Sequence, residues 1–330
     1  MANLSTLYAG LNLNSPIIAS SSGLTDNVQN IIELEKAGVG AVVLKSIFEE
    51  EILMEMDQIK QQMVGKPYVF PETKDYLDEE PHEDLIRAYL RLIKESKQAV
   101  QIPIIASINC ISNQKWTYLA EEIQKAGADA IELNLFNLPS NSEIPADELE
   151  EMYLVLVEKI VDLVTIPVTI KISQYYTAFG QMLERYSKTG VKGIVLFNRY
   201  YSPDIDINTQ QVSGAFILSS PAEIALPLRW IALSSESINV DFAASSGVHS
   251  GEDVVKFLLA GASAVQVASV IYKKGNSVVT EMNAFVLDWM KTHQYKLISD
   301  FRGKLSYKSL NNPASWERTQ FMREFRNFLK

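Results

Sequence analysis

One pattern repeats along the whole chain and constrains its fold more than any other feature. A short apolar, β-branched run is followed by an amphipathic helical stretch, often closed by Ala-Gly just ahead of the next run. The runs are Pro16–Ala19, Ala41–Leu44, Ile104–Ile108, Ala130–Leu133, Val168–Ile172, Gly193–Leu196, Asn239–Ala243 and Ala264–Val267. They are short and mostly apolar, as parallel strands buried on both faces must be. The helical stretches between and after them are Asn27–Lys36, Asp84–Ala99, Gln114–Lys125, Ala146–Leu163, Phe179–Lys188, Pro221–Leu233, Glu252–Leu259 and Ser277–Lys291. Gly38, Gly127 and Gly261 follow three of them and read as C-caps, where glycine takes the left-handed conformation without a Cβ penalty. Eight strand–helix units predict an α/β fold, a (β/α)8 TIM barrel. A doubly wound open sheet is the alternative, but no Gly-x-Gly-x-x-Gly follows the first run.

Composition narrows the function classes. The net charge of −10 repels phosphate backbones, so no nucleic-acid partner is expected. No apolar run reaches membrane-spanning length, and Met1–Gly10 lacks the layout of a secretory signal, so no membrane association and a cytoplasmic location are expected. The single cysteine, Cys110, forms no internal disulfide. The three histidines, His82, His249 and His293, show no metal-ligand spacing, and no metal is expected. The barrel is expected over 1–310 with insertions at 47–81 and 198–220, followed by a helical extension over 311–330. Both insertions leave the C-terminal ends of strands, where barrel sites are built, and read either as plain loops or as lid or partner segments. In the extension, Trp316, Phe321, Phe325 and Leu329 share a helical face that docks on the barrel or on a partner.

Polar residues cluster where the runs end. Lys45 and Lys171 sit on or just after apolar runs, where a lysine is costly to bury alone. An anionic ligand accounts for them, and so does a structural ion pair. Asn109, Asn134 and Asn198 close the third, fourth and sixth runs, each offering an amide donor and acceptor to a heterocycle edge or merely a turn. Ser246-Gly247 and Ala268-Ser269 close the last two runs, and small residues there let backbone N–H groups approach a phosphate, or simply make tight turns.

These phrases, in this order, resemble the dihydroorotate dehydrogenase family, particularly its soluble class, from about Leu4 to Leu310. The family's opening Pro-to-Gly stretch is similar to Pro16–Gly23, including Ala19, Ser20, Ser21 and Gly23. Its Lys-Ser pair is similar to Lys45-Ser46, its Glu-Leu-Asn-Leu phrase to Glu132–Leu135, and its later lysine and asparagine to Lys171 and Asn198. A glycine phrase in the next insertion resembles Ser213-Gly214-Ala215, and the family's closing phrase resembles Asp300–Leu305. The resemblance implies FMN across the barrel mouth, with its phosphate on Ser246, Gly247, Ala268 and Ser269. It implies contacts from Ala19, Ser20, Ser21, Gly23, Ser46, Asn109 and Gly214 to the cofactor. Lys171 would stabilise the anionic reduced flavin, Lys45 would serve flavin and substrate, and Asn134 and Asn198 would hold the substrate ring. The implied reaction is oxidation of dihydroorotate to orotate in pyrimidine biosynthesis, and the implied assembly is a homodimer.

One loop departs from the pattern. Where the family carries its proton-abstracting Cys or Ser, this chain has Asn137, and Pro139 takes the place of a second asparagine. A neutral amide is a poor base near neutral pH. Cys110, Ser173, Tyr175, Tyr176, Tyr200 and Tyr201 are the other candidates for a base. Arg199 replaces a small hydroxylic residue, and either it or Lys45 offers a partner to a substrate carboxylate. Four readings stay open: the family reaction, a flavoprotein acting on a different small anionic or pyrimidine-like substrate, a flavin-binding partner subunit or sensor without turnover, and a barrel that has lost flavin altogether. No cysteine cluster for an iron–sulfur centre is present, so the electron acceptor is not legible.

Overall fold

Eight parallel strands close on themselves. The computed structural model describes residues 2–48, 85–109, 116–135, 140–199, 202–215 and 217–317. The barrel strands are β1 (Ile17–Ala19), β2 (Ala41–Val43), β3 (Ile104–Asn109), β4 (Ala130–Leu135), β5 (Val168–Ile172), β6 (Gly193–Leu196), β7 (Asp241–Ser245) and β8 (Ala264–Val267). Each pairs in parallel with the next, and β8 pairs with β1 through Val265 and Ile17, which closes the ring. The fold is therefore the (β/α)8 barrel and not the open sheet. The outer helices are α1 (Val28–Ala37), α2 (Leu85–Ala99), α3 (Trp116–Ala126), α4 (Ala146–Leu163), α5 (Phe179–Lys188), α6 (Ala225–Ser234), α7 (Gly251–Ala260) and α8 (Ser277–Thr292), with a short helix Ser269–Lys274 ahead of α8. Gly38, Gly127 and Gly261 take φ of 95°, 99° and 113°, the left-handed geometry expected of C-caps.

Strand alternation sorts the core into two layers. Ile131, Leu133 and Leu135 of β4, with Ile170 and Ile172 of β5, join the large cluster between sheet and helices. Ile18, Ala41, Val43, Ile105, Ala130, Val195, Ala243 and Ala264 form a second cluster with Tyr8 and Leu13, across the strand interiors. Those two residues belong to an antiparallel hairpin, Thr6–Tyr8 with Leu11–Leu13, that sequence reasoning missed. The signal was Ala9-Gly10 between two apolar runs, and both residues take positive φ, as a two-residue hairpin turn requires. Ala9 N–H donates to Asp241 Oδ2 at 2.8 Å, and the Thr6 hydroxyl donates to the Ser263 carbonyl, so the hairpin is fixed at the N-terminal ends of β7 and β8.

The insertion expected at 198–220 contains a second hairpin, Ser202–Asp206 with Gln211–Ala215, whose Ile205, Ile207 and Val212 are exposed. Of the insertion expected at 47–81, Ile47–Phe48 extends the sheet beside β3, and its remainder lies outside the described residues. In the C-terminal segment, Trp316 packs on the core and its Nε1 donates to the Leu305 carbonyl; 318–330 lie outside the described residues. No helix among the described residues is long and apolar enough to cross a membrane.

Candidate active site

The same alternation that points the leucines and isoleucines outward turns Glu132 and Asn134 of β4, Thr169 and Lys171 of β5, Ser107 and Asn109 of β3, and Gln266 of β8 inward. All seven are buried. They stack above the apolar layer, toward the C-terminal ends of the strands, which is where barrel enzymes place their chemistry.

At the centre, Lys171 Nζ donates to Gln266 Oε1 at 2.8 Å and to Ser20 Oγ at 3.0 Å, and it lies 3.8 Å from Glu132 Oε1. The amide of Gln266 also donates to Glu132 Oε2, so this side chain bridges the two charges. Burial pushes the Lys171 ammonium down from its ordinary range, and the Glu132 charge opposes that shift. Burial likewise pushes Glu132 up, opposed by Lys171 and by the Gln266 amide. At an effective dielectric of about 20, attraction across roughly 4 Å is worth about 4 kcal/mol. Desolvation costs several kcal/mol per ion, so such a pair contributes little net stability and is better explained by function. Sequence reasoning placed Lys171 here but assigned no role to Gln266 or Glu132. Their signal was present: polar residues at every second position of otherwise apolar strands.

Above the pair runs a chain of amides and hydroxyls. Asn134 Nδ2 donates to Ser46 Oγ and to Ser107 Oγ, each at 2.8 Å. Ser46 and Ser107 are joined at 2.8 Å, and the Ser46 N–H donates to Ser21 Oγ at 2.9 Å. Asn198 Nδ2 reaches Asn134 Oδ1 at 3.4 Å. Tyr89, from α2, donates its hydroxyl to the Ser107 carbonyl and accepts from the Ser107 N–H. Asn109 stands beside Asn134 in register, and its buried Oδ1 accepts no hydrogen bond among the described residues.

Beside this chain a cleft of about 200 Å3 opens at the ends of β1, β5, β7 and β8, lined by Ser20, Ser21, Lys171, Asn198 and Arg199 and by the predicted turns Ser246-Gly247 and Ala268-Ser269. Its described lining holds two cations and no carboxylate. Gly247, at φ 77°, packs against backbone: a Cβ there would lie 2.2 Å from Ile224 N. Arg199 Nε donates to Glu223 Oε2 at 2.7 Å, and its Nη1 donates to the Ile217 carbonyl at 2.8 Å. Burial alone would push Glu223 up, but the Ser220 N–H and Arg199 outweigh it and hold the carboxyl below its usual range. Lys273 adds a third cation nearby, donating to the carbonyl of the buried Ser219.

Some expected residues lie elsewhere. Lys45 is exposed, outside the Lys171 cluster, and lines a separate cavity with Asp26, Asn27 and Tyr89. An ammonium without a buried carboxylate partner stays in water. Gly23 is exposed against the Tyr272 hydroxyl, and Ala19 is buried with its side chain in the outer core layer. Gly214 sits on the exposed hairpin opposite Pro203, away from the cleft lining. Among the candidate bases, the Tyr176 hydroxyl pairs with Tyr186 of α5, in the helical shell, and Ser173 accepts from the Tyr175 N–H. Tyr175 lines a neighbouring cavity of about 510 Å3 that shares Asn198 and Arg199 with the first. His249 sits 3.2 Å from Ser219 Oγ, while Ser250 is the N-cap of α7. Asn137, Cys110, Tyr200, Tyr201 and His82 lie outside the described residues. No group of His, Cys, Asp or Glu among the described residues is arranged to hold a metal.

Fold and site together define a (β/α)8 barrel with a buried polar cluster and a cationic cleft at its C-terminal mouth, where barrel enzymes place their chemistry. Comparison with known proteins sharpens this: the family model for dihydroorotate dehydrogenase matches residues 3–290. The chain belongs to the dihydroorotate dehydrogenase family, a flavin-dependent family of dehydrogenases acting on CH–CH donors. It is 27% identical over 310 residues to the dihydroorotate dehydrogenase B (NAD(+)) catalytic subunit of Thermoplasma acidophilum, covering 87% of this chain and 95% of that protein. It is 26% identical over 309 residues to the corresponding subunit of Pyrococcus abyssi, covering 89% and 96%. It is also 26% identical over 324 residues to the NAD-dependent dihydropyrimidine dehydrogenase subunit PreA of Escherichia coli strain K12, covering 91% of this chain and 76% of PreA.

Proposed function

We propose that the flavin is FMN and that the chain dehydrogenates a small, anionic, pyrimidine-like ring, with dihydroorotate to orotate as the family reaction. The observation that carries this reading is that the buried Lys171 ammonium and the small-residue turns after β7 and β8 line one cleft. A flavin mononucleotide needs that pair of features, a cation for the charge its ring takes up and close backbone for its phosphate.

The residues present fit the group. Ser246, Gly247, Ala268 and Ser269 would hold the phosphate, with Arg199 supplying charge on the same wall. Ser20, Ser21, Ser46 and Asn109 would border the ring, the last offering a buried acceptor with no other partner among the described residues. When bound, the flavin supplies the two-electron acceptor for the CH–CH bond. The protein supplies position and charge. Asn134 and Asn198 orient the substrate ring, and Ser46 and Ser107 lock the Asn134 rotamer through two hydrogen bonds.

A second reading is favoured by the loop after β4. Asn137 and Pro139 stand where the family carries its base and a second amide, so the substrate half is altered while the cofactor half is kept. This suits a related substrate, a dihydropyrimidine or another small acid. Anaerobic addition of dihydroorotate, and separately of dihydrouracil, to the purified yellow protein tests both readings. Bleaching of the visible flavin band by dihydroorotate supports the family reaction. Bleaching only by the second compound supports the altered substrate. A protein that retains no flavin overturns the proposal.

A further inference from the structure

We propose that Glu132 is a positioning residue that keeps Lys171 protonated before the flavin is reduced, so that reduction takes up one proton instead of two. This rests on the flavin reading above.

The geometry is specific. Glu132 is 0% exposed, and its Oε1 accepts no hydrogen bond among the described residues while facing Lys171 Nζ at 3.8 Å. Its other oxygen is held by the Gln266 amide, whose carbonyl oxygen accepts from the same ammonium. Gln266 therefore fixes the spacing of the two charges and keeps them from collapsing into direct contact. Two of the three N–H donors of Lys171 go to Gln266 and Ser20, which leaves one for the cleft.

Among the described residues, the other titratable groups facing the carboxylate are tyrosines. Tyr8 comes from the N-terminal hairpin and Tyr89 from α2, and burial pushes both hydroxyls above their ordinary range, so both are neutral. Asp241, at the start of β7, acts on Tyr8 and is engaged by Ala9 N–H and the Ser263 hydroxyl. Among the described residues, Lys171 and Glu132 thus face each other as a pair with only neutral tyrosines beside the carboxylate.

An ammonium buried without a counter-charge loses its proton. With Glu132 ionised, Lys171 carries its proton in both flavin states. Two electrons and one proton then enter together, and the negative charge left on the reduced ring is met by a cation already in place. With a neutral residue at 132, Lys171 starts without its proton. Two electrons then bring two protons, the second landing on Lys171 Nζ.

The test is the pH dependence of the flavin midpoint potential in the FMN-loaded protein, by dithionite titration with mediators between about pH 6 and 8, a window clear of ordinary carboxylate and lysine titration. The wild type is expected to follow one proton per two electrons. Glu132→Gln is expected to double that slope, and Glu132→Asp to return it toward wild type. Parallel wild-type and Glu132→Gln slopes overturn the proposal, as does a wild-type slope of two protons, which needs no variant to fold. A residue that only filled space would shift the melting temperature and leave the slope alone. Loss of flavin from the wild type overturns the flavin reading itself, a different result from equal slopes in a yellow protein.

Discussion

Lys171 and Glu132 face each other at 3.8 Å inside the barrel with side-chain exposures of 7% and 1%, joined through one glutamine. Removing one member strands the other. Lys171→Met is expected to cost about 3–5 kcal/mol of stability, the penalty for an uncompensated buried charge. The double variant Lys171→Met/Glu132→Gln should recover most of that loss in urea denaturation. Neither variant should recover turnover, because the cleft loses its central cation in both. Flavin reduction by substrate is expected to slow about 10²–10³-fold, the usual effect of deleting one preorganised donor. Stopped-flow absorbance checks the rate.

The hydroxyl and amide chain from Ser21 to Asn198 predicts a different outcome. Asn134→Ala leaves Ser46 and Ser107 without their shared donor in a buried setting. The expected cost is about 1–3 kcal/mol. Substrate KM should rise in the same variant, whereas retention of flavin through gel filtration should not change.

On the proposed reading, Asn137→Cys places a thiol where the family carries its proton-abstracting residue. If dihydroorotate is the substrate, the rate of anaerobic flavin reduction is expected to rise by about 10²–10⁴-fold, the range attributed to a positioned base. An unchanged rate with dihydroorotate would assign the chain to another substrate.

Gly247→Ala and Gly10→Ala separate strain from crowding. Both positions have positive φ, but Gly10 has open space around it, while a Cβ at 247 meets the Ile224 backbone at 2.2 Å. Gly10→Ala should cost about 1–2 kcal/mol for the left-handed conformation alone. Gly247→Ala should cost more and weaken flavin binding, read by fluorescence release of the cofactor.

The barrel was legible because its rule is local. Runs such as Val168–Ile172 and Gly193–Leu196 coincide with the observed strands, and the glycines at 38, 127 and 261 mark helix ends in both sequence and structure. Lys171, Asn134 and the turns after β7 and β8 were legible as strand-end positions, since each strand end faces one mouth. Glu132 and Gln266 were missed because an apolar run with one polar residue reads as a strand, not as an interior contact between β4 and β8. That contact depends on ring closure, which brings Gln266 beside a residue 134 positions earlier. Lys45 follows an apolar run as a site residue would, and it lines a different cavity from the one that holds Lys171.

The hairpin of residues 6–13 seals the end of the barrel opposite the mouth, with Tyr8 and Leu13 seated among Ala41, Ala130, Ala243 and Ala264. The interior is thus a blind vessel. Among the described residues, Lys171 opens to the outside through the cleft it shares with Asn198 and Arg199, and a ligand resting there would cover it. Isotope exchange at the Lys171 ammonium should therefore be fast in the empty protein and nearly arrested once the mouth is filled, so the occupant of the site also sets the clock on which the charge beneath it equilibrates.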